Sequence, residues 1–177
     1  MKKNLKEKLK KIKLLMLDVD GIMTDGRIIM NDEGCETKHF NVRDGHGLKI
    51  LQRFNIKVAI ITGRQSKVVA HRARDLNITD VYQKVYNKKE VFEKILKKYK
   101  LSPDETAFMG DDIVDIPVLN RVGFSATVAD ASDVVKKQVD YITGHKGGKG
   151  AVREVCEMIL QAQGKWAEIA ARYEFLK

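Results

Sequence analysis

Short runs of consecutive apolar residues alternate with longer stretches of helical spacing along most of the chain. The short runs predict five buried strands, over residues 14–18, 58–62, 81–85, 106–110 and 124–128. Strands that are apolar at every position are typical of a parallel sheet covered by helices on both faces. The pattern therefore predicts an α/β fold, a single Rossmann-like, doubly wound parallel sheet.

The stretches between and after these strands have the spacing of amphipathic helices. They predict helices over residues 45–54, 66–76, 88–99, 112–122, 131–139, 152–163 and 167–175. One region breaks the alternation, because residues 27–30 and 36–42 flank the polar turn Asn31-Asp32-Glu33-Gly34. This region predicts a β-hairpin that projects from the sheet.

The length of 177 residues fits one domain, which we place at residues 14–163. A lysine-rich lead precedes it at residues 1–13, and a tail follows it at 164–177. The lead holds seven lysines and one glutamate, so most of the formal net charge of +9 lies there. Trp166 and the five tyrosines are scattered rather than arranged as stacking platforms, and we predict no nucleic-acid partner.

The apolar run Leu14–Leu17 is too short for a signal-peptide core or a membrane span. We therefore predict a cytoplasmic protein with no membrane partner. Cys35 and Cys156 are far apart and predict neither a disulfide nor a zinc site. The four histidines show no metal-binding spacing; they are His39, His46, His71 and His145.

Two carboxylates stand at the end of the first predicted strand. Asp18 and Asp20 are spaced i, i+2, and Gly21 after them permits a sharp turn. In isolation this pair could equally cap a turn, since aspartate often does so. In an open parallel sheet, however, ligands bind beyond the carboxyl ends of the strands, which is where this pair lies.

A second acidic cluster follows the fourth predicted strand and contains Asp111, Asp112 and Asp115. The two clusters would meet at one edge of the sheet, and so many like charges need a cation to offset their repulsion. Ligands that are all oxygen atoms indicate a hard ion, and Mg²⁺ is favoured over Ca²⁺ because phosphate and water can complete its octahedron.

Residues suited to a phosphate group lie between these acidic clusters. Thr62 ends the second predicted strand and Gly63 follows it, and the Thr62 hydroxyl and the Gly63 amide can both donate to a phosphate oxygen. Lys88 or Lys89, at the start of the next helix, can supply a positive charge. None of these residues is informative by itself; their order along the chain and their placement relative to the predicted strands make the pattern informative.

The arrangement D-x-D-G, Thr-Gly, Lys and G-D-D-x-x-D resembles the haloacid dehalogenase-like hydrolase superfamily. Further segments, 18–26, 40–47, 60–64, 110–115 and 147–156, are similar to the family of 3-deoxy-D-manno-octulosonate (KDO) 8-phosphate phosphatases. This resemblance implies a Mg²⁺-dependent phosphoric monoester hydrolase of lipopolysaccharide precursor synthesis. Similar sequences act on the 9-phosphates of nine-carbon, sialic-type sugar acids, and that substrate stays an alternative.

The resemblance also implies roles for the acidic residues. Asp18 would attack phosphorus and form an aspartyl-phosphate, while Asp20 would serve as general acid and then as general base. The metal would contact the Asp18 carboxylate, the Asp20 backbone carbonyl and Asp111. Asp115 would orient a metal-bound water, and Asp112 would orient the lysine.

The phosphoryl group would be held by Thr62, Gly63 and Lys88, since Lys88 fits the family pattern better than Lys89. We expect Arg43, Arg64 and Ser66 to help bind the carboxylate or hydroxyls of a sugar acid. Their roles are hypotheses, and Arg43 could equally form a structural ion pair with Asp44.

The spacing between the motifs leaves no room for a cap domain. The segment from Asp20 to Thr62 accommodates only the hairpin and one helix, and the segment from Thr62 to Lys88 only one βα unit. The resemblance implies a homotetramer in which a neighbour covers the open site with its hairpin or with the segment after Gly164. Two other possibilities remain, an inactive scaffold or regulatory subunit and a phosphotransferase.

Overall fold

The computed structural model describes residues 3–175, so the first two residues of the predicted lead and the last two of the tail lie outside it. Eight strands are present: β1 (Leu14–Leu17), β2 (Ile29–Met30), β3 (Glu36–Thr37), β4 (Lys57–Ile61), β5 (Asp80–Tyr82), β6 (Thr106–Met109), β7 (Phe124–Thr127) and β8 (Tyr141–Ile142). Six of them form one parallel sheet in the order β5-β4-β1-β6-β7-β8. The predicted doubly wound parallel sheet is confirmed.

The sixth strand of this sheet, β8, is missing from the sequence-based prediction. It is two residues long and lies at the edge of the sheet, where Ile142 is exposed. A buried strand shows an apolar run, but a short edge strand does not. The prediction therefore succeeded for the other five strands of the sheet and failed for this one.

Within residues 3–175, eight α-helices precede, connect or follow the strands: α1 (Lys3–Lys10), α2 (Val42–Arg53), α3 (Lys67–Asp75), α4 (Lys88–Tyr99), α5 (Ile116–Leu119), α6 (Asp133–Lys136), α7 (Ala151–Ala162) and α8 (Trp166–Arg172). The predicted helix 112–122 is instead a 3₁₀ turn, Ile113–Asp115, followed by the short α5. Pro117 lies in the first turn of α5, where its missing N–H costs no helical hydrogen bond.

Alternate residues of the central strand face opposite sides of the sheet. Leu15 and Leu17 belong to a core cluster that includes residues of α2, α3 and α7, whereas Leu14 and Met16 belong to a second cluster that includes residues of α4 and α5. Both faces of β1 are therefore buried, which explains its uninterrupted apolar sequence.

The lysine-rich N-terminal segment packs against the domain over its described part. Leu9 and Ile12 are buried in the core that also includes residues of α7. The side chain of Gln163 donates hydrogen bonds to the backbone oxygens of Leu9, at 3.2 Å, and Ile12, at 2.8 Å. These contacts fix the chain just before β1 begins.

The hairpin is present as the antiparallel pair β2 and β3, with Ile29 opposite Thr37. The Asn31 side chain closes its turn by accepting from the amides of Glu33 and Cys35. Cys35 and Cys156 are free thiols, as predicted. Within residues 3–175, no helix has the length and apolar character needed to cross a membrane.

Candidate active site

The polar residues singled out in the sequence lie at the carboxyl edge of the parallel sheet. Asp18 directly follows β1, and its amide donates to the Met109 carbonyl at 3.0 Å. Thr62 directly follows β4, and its amide donates to the Tyr82 carbonyl at 2.9 Å. The strand hydrogen bonds therefore continue one residue into the site and fix both side chains at the edge.

A cavity of about 450 Å³ opens at this edge. It is lined by Asp18, Asp20, Gly26, Thr62, Gly63, Arg64, Val85, Tyr86, Lys88, Asp111, Asp112 and Val114. The cavity thus brings together residues from both acidic clusters and the candidate phosphate-binding residues. Such convergence of charged groups in one concave site is typical of a catalytic site.

Lys88 lines the cavity and contacts two carboxylates. Its amino nitrogen lies 3.0 Å from Asp18 Oδ1 and 2.5 Å from Asp115 Oδ1. Burial alone would lower the pKa of Lys88, but the two carboxylates outweigh burial and raise it. Lys89 instead faces solvent and lies 3.8 Å from Glu93, so Lys88 is the lysine that the fold places in the site.

Asp115 uses both of its carboxylate oxygens within the protein. Oδ1 pairs with Lys88, and Oδ2 accepts from the amides of Asp111 and Asp112. This close packing requires Gly110, because a Cβ there would lie 2.5 Å from the Asp115 side chain. Asp115 therefore orients Lys88, a role predicted from the sequence for Asp112. The Asp112 carboxylate instead accepts from the Ile113 amide at the start of the 3₁₀ turn.

Asp18, Asp111 and Asp115 form a compact acidic group. Ligand atoms from all three lie within 4.8 Å of one another, and Oδ1 of Asp111 is buried with no hydrogen-bond partner among residues 3–175. A Cβ on Gly21 would lie 2.1 Å from Asp111, so a glycine is needed where this loop approaches it. The unpaired oxygen and the all-oxygen donor set fit a hard divalent cation such as Mg²⁺.

The pKa values in this group record the crowding of negative charge. Burial, reinforced by the Asp115 carboxylate, raises the pKa of Asp18 to about 6. Burial, reinforced by Asp18, Asp115 and Asp112, raises the pKa of Asp111 to about 7. A cation bound between Asp18 and Asp111 would favour their ionised forms and lower both values.

Asp20 also lines the cavity but is not part of the acidic group. Oδ1 of its carboxylate accepts from Lys38 of the hairpin, and Oδ2 lies 3.7 Å from Arg64 Nε. Glu36 forms ion pairs with both cations, with Oε1 3.2 Å from Lys38 Nζ and 2.8 Å from Arg64 Nη2. Lys38 and Glu36 were not among the residues predicted from the sequence, because the pattern and spacing of the hairpin do not show that it packs against Asp20 and Arg64.

Two residues predicted to contact the sugar do not line this cavity. Ser66 is buried and begins α3, where its hydroxyl accepts from the Val69 amide at 3.4 Å. Arg43 is exposed and lines a separate cavity beside α7. It forms no ion pair with Asp44, whose carboxylate accepts from the amides of Gly150 and Arg153. Of the three predicted sugar contacts, only Arg64 lines the candidate site.

The fold and this site define a haloacid dehalogenase-like hydrolase. A family model with that description matches residues 71–155. The KDO 8-phosphate phosphatase of Escherichia coli K12 is 48% identical over 161 residues, which cover 91% of this chain and 86% of that protein. The chain therefore belongs to the KDO 8-phosphate phosphatase family.

Solved structures agree with this assignment. The crystal structure of the Yersinia pestis KDO 8-phosphate phosphatase has a TM-score of 0.92 and 44% identity, covering 93% of this chain and 89% of that one. The Moraxella catarrhalis enzyme, solved in complex with magnesium, phosphate and KDO, has a TM-score of 0.95 and 41% identity, covering 98% and 99%.

The raised pKa of Asp111 predicts how stability responds to its removal. In the folded state the pKa of Asp111 is about 7, above its ordinary value of 3.8, so the folded protein keeps this proton to a higher pH than the unfolded chain does. The stability that the protonated group contributes is therefore lost as pH rises toward 7. We expect Asp111→Asn to stabilise the chelator-treated protein at pH 8 by on the order of 2 kcal/mol, and less at pH 5. Thermal unfolding measures both effects.

Magnesium provides the complementary half of this test. It should raise the unfolding temperature of the wild type but not that of Asp111→Asn. Asp112→Asn is the matched control, because it removes an exposed charge outside the acidic group and should keep the response to magnesium. A variant of Asp111 that is less stable than the wild type at pH 8 in chelator would contradict the account.

Proposed function

We propose that this chain is a Mg²⁺-dependent phosphatase that hydrolyses KDO 8-phosphate to KDO and inorganic phosphate. The observation that carries the proposal is that Asp18 lines the cavity close to both Lys88 and Asp111. The Moraxella catarrhalis relative, which binds magnesium, phosphate and KDO, supports this choice of metal and substrate.

The first step is attack by the Asp18 carboxylate on phosphorus. A bond forms between Asp18 Oδ and phosphorus, the bond from phosphorus to the sugar oxygen breaks, and Asp20 gives that oxygen its proton. Asp18 is only 8% exposed, so little water reaches its carboxylate to compete with it for the phosphoryl group. The products of this step are the free sugar acid and an aspartyl-phosphate.

The second step returns Asp18 to its carboxylate form. Asp20, now ionised, takes a proton from water as the water oxygen attacks phosphorus, and the bond between phosphorus and Asp18 breaks. Inorganic phosphate leaves, and Asp20 carries the proton needed for the next cycle. Asp20 lines the same cavity as Asp18 but is held by different partners, which lets the two carboxylates take different roles.

The remaining residues of the cavity hold the transferring group. Thr62 and the Gly63 amide would donate to phosphate oxygens, and Lys88 would neutralise their charge. The Asp18 and Asp111 carboxylates, with the Asp20 backbone carbonyl, would hold Mg²⁺. The bound ion supplies positive charge that keeps Asp18 ionised and screens the substrate dianion. Asp115 would act through Lys88, which it orients.

Release of inorganic phosphate from a panel of sugar phosphates tests this proposal. With Mg²⁺, we expect kcat/KM to be highest for KDO 8-phosphate and lower for a nonulosonate 9-phosphate, and a chelator to abolish turnover. Phosphate release without any added acceptor separates hydrolysis from phosphotransfer. Comparable values of kcat/KM across the panel would contradict the choice of substrate.

Asp18→Asn is the matched control for this assay. It keeps the size of the side chain but removes the nucleophile, so turnover should fall by at least about 10³-fold while the unfolding transition remains cooperative. Unchanged turnover in this variant would remove Asp18 from the mechanism. An inactive wild type would favour the scaffold alternative.

We also propose that the chain forms a homotetramer in which a neighbour covers the cavity. Apolar side chains are exposed on the hairpin and at the cavity rim: Ile28 (58% exposed), Met30 (59%), Tyr86 (95%), Ile113 (59%) and Val114 (57%). Exposed apolar groups of this kind favour contact between subunits. An open cavity without a cap domain needs such cover to select a small substrate.

Sedimentation equilibrium tests the assembly. We expect a mass close to four times the chain mass of 20.1 kDa. The double substitution Ile28→Lys and Met30→Lys should dissociate it and raise KM for the sugar phosphate, because the neighbour's cover is lost. A wild-type monomer with full activity would contradict the proposal. A cytoplasmic location stays a prediction.

A further inference from the structure

The hairpin carries a buried lysine, Lys38, which has no role in the mechanism above. The side chain of Lys38 is only 1% exposed, although Ile28 and Met30 of the same hairpin face solvent. A buried ammonium group is costly unless carboxylates surround it. The partners of Lys38 are Asp20, through Oδ1, and Glu36, through Oε1 at 3.2 Å.

These residues form a closed ring of charges with Arg64. Lys38 holds Oδ1 of Asp20, Arg64 approaches Oδ2 at 3.7 Å, and Glu36 pairs with both cations. The side chain of Arg64 is 42% exposed and lines the cavity, so solvent or a ligand can compete for it. Lys38 is shielded from such competition and is the fixed member of the ring.

We propose that Lys38 is a positioning residue that holds the Asp20 carboxylate in the orientation needed for proton transfer to the leaving sugar oxygen. The inference rests on the proposed function, because it assigns Asp20 its general acid role. It also gives the hairpin a second task. Besides offering apolar groups to a neighbour, the hairpin orients a reacting group within its own subunit.

A purely structural role for Lys38 predicts a different behaviour. If the ion pair only attaches the hairpin to the domain, its loss should lower the rate of phosphoryl transfer from every substrate by the same factor. If Lys38 positions Asp20, the loss should depend on the leaving group. A sugar alkoxide needs a proton as it leaves, whereas p-nitrophenolate is stable without one, so only the sugar phosphate depends on a well-placed Asp20.

The test is Lys38→Met, which has a similar length but no charge or hydrogen-bond donor. Rapid-quench measurements follow formation of the phosphorylated enzyme from KDO 8-phosphate and from p-nitrophenyl phosphate, with Mg²⁺ present. We expect a decrease of about 10²-fold for the sugar phosphate, within the range that general acid catalysis contributes, and of less than about 3-fold for p-nitrophenyl phosphate.

Lys38→Gln is the second variant, because its amide can still donate to Asp20. It should recover part of the rate with the sugar phosphate. Asn31→Ala is the matched control, since it loosens the hairpin turn without touching Asp20. It should leave the ratio of the two rates unchanged.

An equal loss on both substrates in the Lys38 variants, including a loss through misfolding, would overturn the inference. An unchanged rate with the sugar phosphate would do the same. A wild type that forms no phosphorylated enzyme from either substrate would instead overturn the proposed function, and this inference with it. The wild-type measurement therefore separates the two failures.

Discussion

Electrostatic crowding around Asp18 is the constraint on which the site depends. Three buried or half-buried carboxylates, Asp18, Asp111 and Asp115, offer ligand atoms within 4.8 Å of one another, and Lys88 is the cation that contacts two of them. Such a group is stable only if burial is offset by opposite charge. One lysine offsets it in part, and the unpaired Asp111 oxygen provides the place where a divalent cation completes the balance.

The parallel sheet and the hairpin supply this chemistry from two directions. The sheet brings Asp18, Thr62 and Asp111 to one edge, because their strands run in the same direction and end together. The hairpin packs against Asp20 and Arg64, which line the cavity, and brings Lys38 to Asp20. The two aspartates of one short sequence, only two residues apart, thereby face different surroundings and can do different chemistry.

The sequence was sufficient for the parts of the molecule that depend on local pattern. Buried strands such as β1 are apolar at every position, and the site residues follow them directly, so both could be predicted. The short edge strand β8 leaves no such pattern. Contacts between distant segments also leave none, and so the pairing of Lys38 with Asp20 and of Asp115 with Lys88 became visible only in the fold. Arg43 shows the opposite error, since its chemistry suits a sugar acid but the fold places it beside another cavity.

Trapping the covalent intermediate identifies the nucleophile. The enzyme is quenched with acid during turnover and reduced with borohydride, which converts an aspartyl-phosphate to homoserine. Peptide mass spectrometry then locates the reduced residue. We predict reduction at Asp18 alone, and only when substrate and Mg²⁺ are both present. Reduction at Asp20 or Asp111, or at no residue during active turnover, would contradict the account.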